Sequence, residues 1–324
     1  MLEIGGILIG RPLLMRFTLR QLAYFVAAGE TGSVTQASER VSISQPSISA
    51  AIHHLEREFG LQLFIRHHAQ GLSLTPAGVR FLQAAKDVLQ SAHGLYDIAS
   101  EATSSISGPI NIGTFSTFAP LLMPELCNSF RADHPRVEMN VSEGSEASLL
   151  EKLRRARIDL ALTYEQYVTP DIEFEPLATL PTYVLVPAGH ELARHGSIRL
   201  EQLEGEPFVL LDLPLSREYF LSLFSQAGIA PNIVAHTANA ETLRAYVGSG
   251  FGVSLMTARP LSKIAVNGTA LEYVQLEGDY PPMILGMAWL KELRETRVME
   301  AFKAHCRERI SDESLPGMAP LMPR

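Results

Sequence analysis

The chain has 324 residues, 46% of them hydrophobic and 19% charged, with a net charge of -8 at pH 7. That length exceeds one typical domain of about 100–200 residues, so two or three units are expected, and the composition excludes a disordered or fibrous chain. Two cysteines, Cys127 and Cys306, are too few for a disulfide framework and fit a reducing cytoplasm; the acidity excludes a protein that binds nucleic acid over its whole surface but allows a local DNA-binding face.

Residues 1–14 (MLEIGGILIGRPLL) are apolar but short, with no basic start and no small-residue cleavage site. They read as an extension ahead of the fold rather than a signal peptide, and no run reaches the roughly twenty apolar residues of a membrane span. Thr18 caps a first helix to about residue 28, with Leu19, Leu22, Phe25 and Val26 facing a shared core and Gly29 and Gly32 ending it. Ser33 and Gln36 read as a capping box opening a short helix through Arg40, in which Ala37 lets a neighbour cross closely. Ser44 and Pro46 then start another helix, where Ile48, Ile52, Leu55 and Phe59 form one apolar stripe. Its opposite face carries Gln45, Ser47, Ser49, Ala50, His53 and Arg57. Small hydrogen-bonding side chains at a helix N-terminus suit a major groove about 12 Å wide, although such a face alone reads equally as an ordinary solvated one. Gly60 stops the helix, and strands at 63–65 and 72–74 flank the polar loop His67-His68-Ala69-Gln70-Gly71.

Over residues 16–78 the chain closely resembles the N-terminal winged helix-turn-helix of the LysR-type transcriptional regulators. The residues that carry the likeness are Leu19, Leu22, Phe25, Gly32, Ser33, Ala37, Ser44-Gln45-Pro46-Ser47-Ile48-Ser49, Leu55-Glu56, Leu61, Leu63-Phe64, Arg66 and Leu74-Thr75-Pro76-Ala77-Gly78. The resemblance implies an α/β chain with an α-rich winged helix-turn-helix, over residues 15–75, ahead of a two-lobed, periplasmic-binding-protein-like effector domain. It implies double-stranded DNA, a small-molecule effector and further copies of the same chain as partners, a dimer and then a tetramer, in the cytoplasm. On DNA it assigns Ser33, Gln45, Pro46, Ser47, Ser49, His53 and Arg57, and it places Arg66 of the wing on a phosphate. Two departures stand out: Ala50 where many relatives carry a basic residue, and His53 and His54 where they carry arginines. Fewer fixed charges imply a shallow salt dependence of DNA binding.

Thr75 and Pro76 open a helical pattern over residues 76–102 with Val79, Leu82, Val88, Leu89, Leu95 and Ile98 along it and Gly94 as a point of bending. One small winged domain cannot cover that much apolar surface, so pairing with another copy is expected. Residues 103–108 are small and polar and read as a hinge. From Pro109 strands and helices alternate. Strands are expected at 110–113, 137–141, 160–162, 183–186, 208–211, 233–235, 253–255 and 284–289, and helices at 119–131, 147–155, 216–227, 240–248 and 295–309. Two chain crossings would give one lobe from 109–165 and 267–312 and another from 166–266, with a disordered tail over 313–324.

Ligands in open α/β sheets sit at strand C-terminal ends and helix N-termini. Thr114, Phe115, Ser116, Thr117 and Phe118 form one such stretch, Gly144 and Ser145 a second, and Pro214, Leu215, Ser216 and Arg217 a third; Tyr164, Asn239 and Phe251 join them. By position they match where LysR-type regulators hold effectors. Arg217 reads either as a partner for an effector carboxylate or as a solvated first-turn residue, and the phenylalanines read as an apolar wall, so a small organic acid is the expected effector. No cofactor or metal is expected: the ten histidines lack zinc-like spacing, and the Gly248-Ser249-Gly250-Phe251-Gly252 run follows a helix and enters a strand, the reverse of a dinucleotide fingerprint. Cys127 has the spacing of a core thiol. The competing reading is an α/β enzyme or small-molecule-binding protein with an incidental helix-turn-helix. No coherent set of acid, base and nucleophile supports the enzyme.

Overall fold

The computed structural model describes residues 16–67, 71–103, 106–166, 168–293 and 295–319, which fall into two compact units, residues 1–98 and 99–324. Residues 1–14 and the wing-tip residues His68, Ala69 and Gln70 lie outside the described residues.

In the first unit, helices α1 (Leu19–Thr31), α2 (Val34–Arg40) and α3 (Gln45–Phe59) are followed by the antiparallel hairpin β1 (Phe64–His67) and β2 (Gly71–Leu74) and by α4 (Pro76–Thr103). The reciprocal capping box belongs to Thr18 and Gln21, not to Ser33 and Gln36: Ser33 Oγ accepts from Gln36 N, and the backbone N–H of Ser33 donates to Thr31 Oγ1 instead. Gly29 is interior to α1, where it lets Leu82 and Leu74 close in, and only Gly32, at φ 63°, ends the helix. Leu22, Phe25, Ala37, Ile48, Ile52, Leu55, Leu63 and Phe64 fill the core; the expected core residue Leu19 stays 46% exposed, and Phe59 is a rim residue packed on Phe17 and Phe81. Glu30 ties three helices together, accepting from Arg40 at 2.6 Å and pairing with Lys86 at 2.8 Å. Thr75 Oγ1 caps α4, accepting from Gly78 N at 2.9 Å, and the helix runs unbroken through Gly94.

The second unit opens with β3 (Gly108–Phe115), α5 (Ala119–Asp133), β4 (Val137–Gly144), α6 (Glu146–Arg154) and β5 (Leu160–Tyr164). β6 (Ile172–Leu180) follows, then β7 (Tyr183–Pro187), β8 (Ser197–Arg199) and β9 (Pro207–Leu211). The chain continues through α7 (Pro214–Gln226), β10 (Asn232–Thr237), α8 (Ala240–Gly248), β11 (Ser254–Met256), β12 (Leu271–Glu277), β13 (Met283–Leu290) and α9 (Arg297–Arg309). One sheet has the order β4-β3-β5-β13-β6, with β4, β3 and β5 parallel; the other has the order β11-β7-β12-β8, extended by the β10-β9 pair through a bridge from Phe208 to Val253.

These pairings move both chain crossings. β6, expected in the second lobe, is the edge strand of the first, so the chain crosses at Pro181-Thr182; β12, expected to begin the return, pairs with β7 and β8 in the second, so the return follows Glu277. Pro176 within β6 hides it: a proline cannot donate to a ladder, and the strand survives because it is an edge, with an irregularity opposite Leu285 and Gly286. The tail is also corrected. Leu315 and Met318 are buried, Asp312 accepts from Thr179 N at 2.6 Å, and Ala319 N donates to Arg259 O at 2.7 Å, so residues 311–319 form a strap. No helix among the described residues is long and apolar enough to cross a membrane.

Candidate functional site

On the first unit, Gln45, Pro46, Ser47, His53, Arg57 and Arg66 are exposed and Ser49 is half-buried, all but Arg66 on α3. Ser44 gives α3 no side-chain cap; its hydroxyl meets that of Ser47 at 2.9 Å, and its carbonyl accepts from Ser47 N and Ile48 N. Arg66 Nη2 donates to His53 Nε2 at 3.0 Å, which puts the ring proton on Nδ1, facing Glu56 Oε2 at 3.7 Å. Glu56 in turn accepts from Leu63 N and Phe64 N, so the base of the hairpin is pinned to α3. Ser33 is set apart by its task, since its hydroxyl caps α2.

In the second unit the parallel strands β4, β3 and β5 end on one edge of their sheet, and a cavity of about 530 Å³ opens there. Phe115, Ser145, Glu146, Ala147, Leu150, Arg154, Val168 and Thr169 line it from the first lobe; Leu213, Pro214, Leu215 and Glu218 line it from the second. Of the expected cleft residues, Phe115, Ser145, Pro214 and Leu215 reach it. Thr114 and Phe118 are fully buried, Phe118 packing at a tilt against Phe115 and edge-on against Tyr164 at 4.8 Å between centroids, while Tyr164 donates or accepts at Thr257 Oγ1 over 2.7 Å. Burial raises the Tyr164 phenol well above its ordinary range, so it stays a neutral supporting group. Ser116 N–H is spent on Gly144 O, and Ser216 is buried within α7. Arg217 is ion-paired to Asp212, which also faces His236, so the residue expected to meet a carboxylate already has one. Asn239 caps α8 by accepting from Thr242 N, and Phe251 packs on Tyr246 at the surface.

The polar residues that sequence reasoning missed are Glu146, Arg154, Thr169 and Glu218. Glu146 begins α6 one residue earlier than expected, is 5% exposed, and is pushed up to about 8 by burial. Arg154 donates to Asp171 at 2.7 Å and to Thr169 at 2.6 Å, and this pairing holds Asp171 well below the usual carboxylate range. A carboxylic residue just after a strand-ending glycine was the available signal.

Residues 103–311 match the family model described as LysR substrate binding domain, and residues 19–79 match that of the bacterial regulatory helix-turn-helix protein, lysR family. The chain belongs to the LysR-type transcriptional regulators. This regulator is similar to the transcriptional regulator CysB of Haemophilus influenzae, 32% identical over 74% of this chain and 75% of that protein. The crystal structure of HinK, a LysR family regulator from Pseudomonas aeruginosa, is 40% identical and superposes with a TM-score of 0.62, covering 91% of this chain and 99% of that one. Full-length CbnR, crystallised with its target DNA, is 25% identical with a TM-score of 0.55, over 90% and 99% of the two chains. The regulator therefore combines a DNA-binding helix-turn-helix with an effector-binding domain of two α/β lobes.

Proposed function

We propose that this regulator reads duplex DNA through the N-terminal face of α3 in paired copies, and that a small molecule in the cavity between the lobes alters that reading. The observation that carries the effector half is the cavity wall: it is drawn from both lobes, so an occupant that prefers one lobe angle shifts the equilibrium by its differential affinity. Gln45, Ser47 and Ser49 meet base edges, His53, Arg57 and Arg66 meet the backbone, and Pro46 shapes the first turn. Val88 and Leu95, exposed and seven residues apart on α4, support pairing of copies, with further association into tetramers. The regulator works in the cytoplasm and binds rather than transforms its effector, in line with the regulatory role shared by its relatives.

Two results test this. With Arg57 and Arg66 of two copies each neutralising one phosphate, the log affinity against log salt slope is expected to be about -4 by counterion release; a slope near -10 contradicts the sparse-charge interface. Ala147→Trp, at an exposed position on the cavity wall, fills the space. A reporter driven by the regulator's own upstream DNA is expected to respond to growth conditions with the wild type and to become constant with Ala147→Trp. A variant that responds as the wild type does contradicts the cavity as the effector site.

A further inference from the structure

Glu146 lies in the cavity wall at 5% exposure, and its Oε1 atom has no hydrogen-bond partner. The hydroxyls of Thr117 and Thr163 are likewise buried without a partner. Thr117 follows β3, Glu146 follows β4 and Thr163 is the penultimate residue of β5, so all three lie toward the C-terminal ends of adjacent parallel strands, and of the three Glu146 lines the cavity. Buried polar groups ordinarily find partners, and a buried carboxyl without one in a cavity wall marks where a ligand supplies it.

The charges around the space fix what that ligand can be. Glu218 faces it from α7 and Glu146 from α6; the only guanidinium in the wall among the described residues, Arg154, is committed to Asp171 and Thr169. Tyr164 beneath is hydrogen-bonded to Thr257. An anionic ligand would meet no free cation in the wall among the described residues and would lie beside Glu218, whereas an ammonium finds in Glu146 a buried carboxyl without a partner. Phe115, Leu150, Val168, Leu213 and Leu215 supply an apolar wall.

We propose that the effector is an amine: its ammonium seats on the Glu146 carboxylate, and its apolar body lies against Phe115, Leu150 and Leu215. This rests on the reading of the cavity as the effector site and replaces the organic acid expected from Arg217. Burial keeps the Glu146 carboxyl protonated up to about pH 8, so without an amine it carries no unpaired buried charge. Docking of an ammonium exchanges the Glu146 proton to solvent for the ion pair, with no other bond made or broken. Below about pH 8 each docked amine therefore releases close to one proton, and affinity rises with pH, by up to tenfold per unit.

The test is calorimetry on the full-length protein with matched triplets: 2-phenylethylamine, 3-phenylpropionate and 3-phenylpropionamide, and butylamine, valerate and valeramide. The amine of at least one triplet is expected to bind tenfold or more tightly than its acid and amide, and more tightly at pH 7.5 than at pH 6. Glu146→Gln is expected to remove that preference, and Ala147→Trp to abolish binding. An acid that binds more tightly than its amine, an amine affinity unchanged in Glu146→Gln, or no amine binding overturns the assignment. If a tight acid is lost in Ala147→Trp, the amine class fails while the cavity stands; if a tight amine persists in Ala147→Trp, the cavity reading itself fails.

Discussion

Phe25→Ala is expected to unfold the DNA-binding unit and leave the effector unit folded. Phe25 is fully buried, with its ring 5.4 Å from that of Phe64 and 5.2 Å from that of Phe81, so it joins α1 to the hairpin and to α4. Replacing a buried phenylalanine by alanine costs about 3–5 kcal/mol in lost transfer energy and residual cavity. A unit with so small a core has little more than that in hand. The two units can be read separately, because the single tryptophan, Trp289, lies in β13 of the effector unit, beneath Lys303. The variant should lose helical circular dichroism and duplex binding while the Trp289 emission and its melting transition stay at wild-type values. Duplex affinity within threefold of wild type would show that the α1–hairpin–α4 junction is not what holds α3 in place.

The second large effect is the pH dependence of the effector unit. An exposed glutamate titrates near 4.5, whereas burial holds Glu146 at about 8 in the folded state. Between those values the unfolded chain has released a proton that the folded chain retains, so stability is full below pH 4.5 and declines as pH rises to about 8. The loss is on the order of 3 kcal/mol, allowing for relaxation around the buried group. Glu146→Gln has no such proton, and its melting temperature, followed by Trp289 emission, is expected to exceed that of the wild type by several degrees at pH 8.5 and to converge with it near pH 4.5. A difference that stays constant over that range would mean Glu146 is hydrated in the folded protein.

The parts of the molecule that were legible in sequence are those fixed by neighbours along the chain. The start of α3 at Gln45-Pro46, the Ile48, Ile52 and Leu55 stripe and the αL stop at Gly60 are local matters of backbone and period, and the structure places them as read, although Ser44 makes no side-chain cap. The positions of the cleft residues are fixed instead by approach from afar. Glu146 falls just ahead of the helix expected at 147–155, and nothing near it in the chain marks it as buried; Leu213 and Leu215, some seventy residues downstream, line the same cavity. Arg217 reads as a free cation until Asp212 is found beside it. The crossings were misplaced because Pro176 disguises an edge strand and because the alternation of β12 does not say which sheet it joins. The strap was missed because two apolar residues, Leu315 and Met318, are enough to hold a short tail whose composition is that of a loop.

Base-pair reading is proposed for the N-terminal face of α3. The most direct measurement is competitive binding of the full-length protein to its own upstream duplex and to a set of duplexes with single base-pair changes, for wild type and for Gln45→Ala. Wild type is expected to discriminate by about 1–3 kcal/mol at particular positions, and Gln45→Ala to relax discrimination at one position per half-site while keeping its affinity for unrelated DNA. Equal affinity of the wild type for all duplexes, or an unaltered base preference in Gln45→Ala together with Ser49→Ala, contradicts it.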